Sequence, residues 1–403
     1  MRIEPAAVLA AVLGLAIGMG CAADRSSGTG VMRVDTVAGI PRITNEGDGA
    51  WREGEAWRVG AGGVLIGGIE GDDAYVFGDI AGLGVARDGR IYVADGQAKE
   101  VRVFSPDGAF LTRFGRSGEG PGEFRAIDAL VVARDGTVIV RDPQGFRITR
   151  FEPDGTYRSS FRLQRPFMQF AGTTTMTVTD DGRLFDQLQF NIGTDSGDSL
   201  GVIVYAADGA PTDSLVLMVD ERKPVVITRD GRAVMGLSVP FSPRPVTAVA
   251  RDGTIAWGNG AVYSFHVADA LGDTLRTIAR TAEPEAVSAT ERDSAVAAMR
   301  KIAEENAGVK QLPDFDFPTR KPAYSHIVAD ASGNWWVGSG AAWGSAPEHA
   351  RYDVFEAGGR YLGAVDVPSL RILQIGDDFI AGVRTDSLGV PYAAVLPLIK
   401  PSR

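Results

Sequence analysis

Residues 83–124, LGVARDGRIYVADGQAKEVRVFSPDGAFLTRFGRSGEGPGEF, return in altered form at 130–161 as LVVARDGTVIVRDPQGFRITRFEPDGTYRSSF. No other feature of the chain constrains its fold so tightly. In the first copy Leu83–Ala86 reads as a short apolar strand, and Arg87-Asp88-Gly89 as a turn. A strand at Arg90–Ala94 follows, then one around Val101–Phe104. Pro106-Asp107-Gly108 turns the chain again into Phe110–Phe114. Asp-Gly suits a two-residue hairpin turn in which both central residues take positive φ. The strand positions carry β-branched and aromatic side chains that fit a pleated, half-buried surface. From Asp88 to Asp135 is 47 residues, and from Asp135 to Asp181 is 46. A four-stranded antiparallel unit at this period cannot cover its own faces. It must stack on its neighbours, which predicts an all-β β-propeller.

Taking the chain in order, residues 1–20 have the form of an export signal, with Arg2 as the only basic residue and an apolar run from Ala6 to Met19. The run is too short to span a bilayer comfortably. Cys21, the only cysteine, follows at once. This junction resembles a bacterial lipoprotein lipobox and makes Cys21 the expected lipidation site, although Gly18 stands where Leu is usual. The expected division is therefore 1–21 signal and lipobox, 22–30 flexible tether and 31–403 one propeller domain. The expected location is exported: periplasm, outer membrane or cell surface, held by a lipid.

Val31–Val37 alternates and reads as a strand with no adjacent hairpin partner, and part of 31–69 is expected to complete the last blade. Blades one and two are read at 79–114 and 127–162. Blade three starts near Phe170, and blades four, five and six at 246, 324 and 370. Pro284–Gly308 is the one convincing helix, with Ser288 and Glu291 at capping-box spacing and Gly308 as its stop. It would either dock on the rim or close over the central channel as a lid.

The tight Asp-Gly turns fall on one face of the disc. The connections between second and third strands, and the crossings between blades, fall on the other. Those are long, and long loops on a rigid scaffold carry binding.

IYVAD (91–95), VFSPDG (103–108) and GRSGEGPGEF (115–124) together resemble the NHL-repeat group of six-bladed propellers. With the export signal, the chain is similar to the bacterial lipoproteins of that type. The match is sharp over 79–162 and degenerate elsewhere. The resemblance implies six blades and a binding role. Some relatives are calcium-dependent lactonases, or lyases with a metal in the channel. This chain has three histidines and offers no matching ligand set, so no catalytic residue is carried over.

On the long-loop face the candidate ligand-binding residues are Asp95, Arg116, Asp142, Arg165, Arg244, Arg320, His326 and Trp343. Asp95 and Asp142 recur at one repeat position and would either hold a cation or cap a turn. Arg116, Arg165, Arg244 and Arg320, with Arg125 and Lys321, would form a basic ring able to attract an anion. Phe167, Phe170, Tyr324 and Trp343 would stack on a sugar or peptide, or simply pack. His326 would be a ligand or base at the channel mouth, or a hydrogen-bonded structural residue. His266 and His349 are not seen to converge with it.

With a net charge of −10 and no basic stretch, nucleic acid is not an expected partner. The expected partners are a small anionic or sugar-like ligand, or an envelope protein. The membrane is met only through the lipid, and the chain is expected to be a monomer. No cofactor is expected. A divalent metal such as calcium belongs to the alternative reading, a lactonase-like hydrolase or lyase acting in the channel.

Overall fold

The computed structural model describes residues 30–163, 175–191, 198–219, 222–339 and 348–401. The lipobox and nearly all of the tether lie outside them, as do Arg165, Phe167, Phe170 and Trp343. None of the described helices is long and apolar enough to cross a membrane.

The described residues open with a hairpin, β1 (Val31–Val37) and β2 (Ile40–Glu46), then two short strands, β3 (Arg58–Val59) and β4 (Val64–Ile66). Blade one is β5 (Ile80–Val85), β6 (Ile91–Asp95), β7 (Glu100–Phe104) and β8 (Phe110–Phe114). Blade two is β9 (Ala129–Val132), β10 (Val138–Asp142), β11 (Arg147–Phe151) and β12 (Tyr157–Arg162). Blade three is β13 (Thr175–Val178), β14 (Leu184–Asn191), β15 (Asp198–Tyr205) and β16 (Pro211–Val219). A separate hairpin follows, β17 (Val225–Arg229) and β18 (Arg232–Leu237). Blade four is β19 (Val246–Val249), β20 (Ile255–Gly258), β21 (Ser264–Ala268) and β22 (Thr274–Arg280). After helix α1 (Ala289–Ala307) come blade five, β23 (His326–Ala329), β24 (Trp335–Gly338), β25 (His349–Phe355) and β26 (Tyr361–Pro368), and the last strands, β27 (Arg371–Ile375), β28 (Phe379–Thr385) and β29 (Pro391–Ile399).

Six blades close into a ring, as the repeat predicts. The reason lies in the core, which is divided among the gaps between blades. Val101, Val103 and Phe124 of the blade-one sector meet Leu130, Val138 and Phe151 of blade two. Phe185 and Val204 of blade three meet Val249 and Ile255 of blade four. Phe265 and Ile278 of blade four meet Trp335 and Phe355 of blade five. Each twisted sheet removes its apolar flank from water only against the next one.

The last blade borrows its outer strand from the start of the chain. Ala393 and Val395 of β29 pair antiparallel with Ile66 and Val64 of β4, and Leu398 pairs with Val59 of β3. Residues 58–66 thus do the closing expected of part of 31–69.

The first strands behave otherwise. Contrary to expectation, β1 has a hairpin partner, since Val37 pairs with Ile40 across Ala38-Gly39. Both turn residues have positive φ, 50° and 83°, as a two-residue turn of this hand requires. β2 then adds in parallel to β22, extending blade four to six strands. Buried Asn45 fixes it there: its Nδ2 donates to the carbonyls of Ala279 (3.2 Å) and Gly359 (2.9 Å), and its Oδ1 accepts from the Tyr361 N–H (2.9 Å).

The blade turns also differ from the expected type. Gly89 has φ 84°, but Asp88 is not in the positive-φ region. The Ala86 carbonyl accepts from Gly89, the Ala86 N–H donates to Arg90, and the Asp88 carboxylate accepts from the Arg90 N–H (3.1 Å). This is a type I turn followed by a glycine bulge, with the aspartate as side-chain cap. Thr137 N–H to Asp135 (3.0 Å) and Thr156 N–H to Asp154 (2.8 Å) repeat it. The expected two-residue form occurs at Asp230-Gly231, φ 54° and 75°, between β17 and β18.

The helix is capped as expected, with both bonds of the Ser288–Glu291 capping box present and Gly308 left-handed. Its buried face, Met299, Ala303 and Ala307, packs against Val225 and Ile227 of β17. The two long crossings that flank blade four therefore fold on each other. None of the helix residues lines the channel, so the helix is not a lid in this structure.

Candidate functional site

The axis of the ring holds a cavity of about 790 Å³, walled by the six innermost strands β5, β9, β13, β19, β23 and β27. Each of these strands starts at the long-loop face and ends at a tight turn. Asp128, Arg244, Ser325, His326, Ser369 and Arg371 lie where the inner strands begin. Gln187, His349 and Tyr352 join them from second and third strands, and Ser339 from just past β24. Further along, the lining is mainly aliphatic, with Leu83, Leu130, Met176, Ala248 and Ile327 beside Thr177 and Thr247, and Arg251 and Asp330 lie toward the tight-turn end. At the tight-turn end Gln374 closes the ring: its Oε1 accepts from the Val85 N–H (2.8 Å) and its Nε2 donates to the Val85 carbonyl (3.1 Å).

His326 stands at the mouth, directed into blade five. His326, Gly338 and Tyr352 are register partners across β23, β24 and β25. The imidazole lies over Gly338 so closely that a Cβ there would fall 2.1 Å from Nε2. It reaches the Tyr352 hydroxyl with Nε2 (2.6 Å) and Ser325 Oγ with Nδ1 (2.9 Å). Burial pushes the Tyr352 pKa far above its ordinary value and lowers that of His326 to about 4. The arrangement that satisfies both is a neutral ring, with the Tyr352 O–H donating to Nε2 and Nδ1–H donating to Ser325.

Of the expected basic residues, Arg244 lines the cavity; Arg116 and Arg320 do not. Arg116 sits outside, bonded to Glu123 (2.8 Å). Arg320 donates to the Pro284 carbonyl (2.8 Å) beside Glu283, and Arg125 faces Glu119. Lys321 pairs with Glu291 (2.7 Å), and that bond, with the Ser288 N–H, holds the Glu291 carboxyl at about 2. Among these residues no closed basic ring forms.

Arg371 was not anticipated, although its place at the start of an innermost strand was the available signal. It lines the mouth and donates to the Ile80 carbonyl (2.6 Å). Desolvation within the ring holds its guanidinium below its usual value, partly offset by Asp79. His349, whose convergence with His326 is not visible in the sequence, lines the same cavity. His266 lies in β21, stacked on Trp257 at 4.3 Å, away from it.

Asp95 and Asp142 are buried off the channel. The Asp95 carboxylate accepts from the N–H groups of Gly78, Gln97 and Ala98 and faces Arg102 at 3.2 Å. That of Asp142 accepts from Arg125, Ala126 and Gly145 and faces Arg147 at 3.4 Å. Each ties the turn between second and third strands to the incoming crossing, which accounts for the recurrence without a bound cation. Tyr324, expected as a stacking platform, is wholly buried and donates to the Ser264 carbonyl (2.6 Å). Among the described residues no three His, Cys, Asp or Glu side chains stand close enough to hold a metal ion.

The family model and one solved structure bear on the architecture. A family model, DUF5128, 6-bladed beta-propeller, matches residues 69–203. A search of curated proteins gives no match. Among solved structures, a member of the DUF4221 family from Bacteroides vulgatus aligns over 86% of this chain and 98% of its own, at 12% identity and TM-score 0.51. Virginiamycin B lyase from Staphylococcus aureus aligns over 85% of this chain and 99% of its own, at 11% identity and TM-score 0.41, an overlap too low to argue from. At such identities the likeness is one of fold: the chain is a six-bladed β-propeller.

Proposed function

We propose that the chain is an exported binding module whose channel mouth, on the long-loop face, takes a small ligand with an anionic or sugar-like group. The observation that carries this reading is the gathering of polar and charged groups where the inner strands begin, at the long-loop mouth of the channel, above a mainly aliphatic middle. Arg244 and Arg371 reach that mouth from blades four and six of an otherwise acidic protein. Gln187 also lines the channel, and its buried Oε1 has no hydrogen-bond partner among the described residues. Concave sites that fix a ligand by a few polar groups over apolar walls are the usual form of small-molecule pocket. The export-signal form of residues 1–20 and the position of Cys21 support secretion and lipid attachment.

Calorimetric titration with citrate, galacturonate and galactose tests the site. Saturable binding of a carboxylate is expected, weakened about tenfold or more in Arg371→Ala, the usual cost of a lost charged hydrogen bond. Binding by none of the probes, or binding indifferent to Arg371→Ala, overturns the reading. The competing activity, metal-dependent hydrolysis or elimination in the same channel, would be favoured by stoichiometric divalent metal in elemental analysis of the purified protein.

A further inference from the structure

We propose that β1 is a self-pairing strand, through which two copies of the chain join edge to edge about a two-fold axis. β1 is the outer edge of the six-stranded sheet, and every residue in it is exposed. Val31, Met32, Val34 and Val37 are each about half exposed, at 49%, 49%, 57% and 54%. An apolar strand with one open edge is a template for another strand.

The hairpin geometry says which groups point outward. The two-residue turn makes Val37↔Ile40 a hydrogen-bonded pair, and such pairs then alternate along an antiparallel ladder. Thr36↔Pro41, Val34↔Ile43 and Met32↔Asn45 are therefore the non-bonded pairs. Proline at position 41 agrees, having no N–H to offer. The N–H and C=O groups of Met32, Val34 and Thr36 thus face away from β2, at the open edge.

The strand VMRVDTV is complementary to itself when a second copy runs antiparallel about Val34. Val34 then meets Val34 of the other copy, Met32 meets Thr36, and Val31 meets Val37. Arg33 meets Asp35 twice, once on each side of the axis. The outward groups of Met32, Val34 and Thr36 are those a partner centred on Val34 would bond. Charges on an edge strand ordinarily repel strangers. Here they are of opposite sign at symmetry-related positions, so the same charges admit a second copy, and a closed two-fold interface follows. A strand pair buries less area than a standard interface, so the dimer is a weak one.

Sedimentation equilibrium of the whole protein, from about 10 µM to 1 mM, tests this. A concentration-dependent dimer is expected. Arg33→Asp places like charges together twice and should weaken it about tenfold or more. The exchange Arg33→Asp with Asp35→Arg restores the pairing and the dimer. Val34→Pro removes an outward N–H, leaves the bonds to β2 in place, and should abolish association. A monomer at all concentrations overturns the proposal. So does a dimer indifferent to Arg33→Asp and Val34→Pro, which would use another surface. A monomer whose β1 amides resist hydrogen exchange would place preceding residues of its own chain on the edge, and overturns it equally.

Discussion

Blades two and five are built on the same register, yet the row of residues nearest the channel mouth is filled in opposite ways. In blade two the row runs Ala129, Arg141, Ile148. In blade five it runs His326, Gly338, Tyr352. The long side chain has moved from the second strand to the first. In blade two Arg141 is buried and ion-paired with Asp128 (2.7 Å) and Asp186. In blade five Gly338 leaves a gap, and the imidazole of His326 lies in it. The repeat fixes the scaffold, where aspartate-capped turns and apolar flanks recur. The mouth row carries no such constraint, and individual blades diverge there.

The sharpest way to break this comparison is Arg141→Leu. Asp128 and the wholly buried Asp186 then lose their ion pairs with this guanidinium. Removing one side of a buried ion pair costs about 3–5 kcal/mol. Urea denaturation should show that loss, and a change under about 1 kcal/mol would mean that blade two does not depend on its arginine.

Gly338→Ala tests the other half. The new methyl must displace the imidazole and part it from Tyr352, at a cost of about 1–3 kcal/mol. In a His326→Ala background the cost should largely vanish, and a double-mutant cycle measures the difference. The same histidine predicts a pH effect. Its folded pKa of about 4 lies below the ordinary value of 6.5. The unfolded chain therefore takes up the proton first, and stability is full above about pH 6.5 and falls toward pH 4, by up to about 3 kcal/mol. His326→Gln should flatten that part of the curve; an unchanged slope would remove His326 as its source.

The smallest effect sharpens the turn distinction. Asp88→Gly removes a cap from a residue with negative φ and should cost about 1 kcal/mol. Asp230→Gly relieves a left-handed residue and should be neutral or stabilising by a few tenths of a kcal/mol. Thermal melts that give both changes the same sign would contradict the two turn types.

The blades were legible because their signals are local and repeated: a turn, two apolar residues, the same turn again. The β1–β2 hairpin was not, because Ala38-Gly39 lacks the usual Asn or Asp, and the partner of β2 lies far along the chain in β22. The turn type was misread for a related reason. Asp-Gly fits both a left-handed pair and a capped bulge, and the loop length decides between them. The recurrence of Asp95 and Asp142 was visible, but their partners, backbone N–H groups of neighbouring loops, were not. The channel mouth is assembled one or two residues per blade, so Arg371 and His349 stood out only once the ring was closed.

Residues 58–66 leave the ribosome long before residues 391–399 exist, yet they share one sheet. The first-made segment must wait, unpaired, for the last-made one. Until then the sheet that will carry β29 lacks its outermost strand. Pairings so distant in sequence are slow to form, and a chain waiting for them exposes strand edges that invite aggregation. Such a ring is completed only when the whole polypeptide is present in one compartment. A truncation of even the final strand should therefore unseat residues 58–66 as well as the end of the chain.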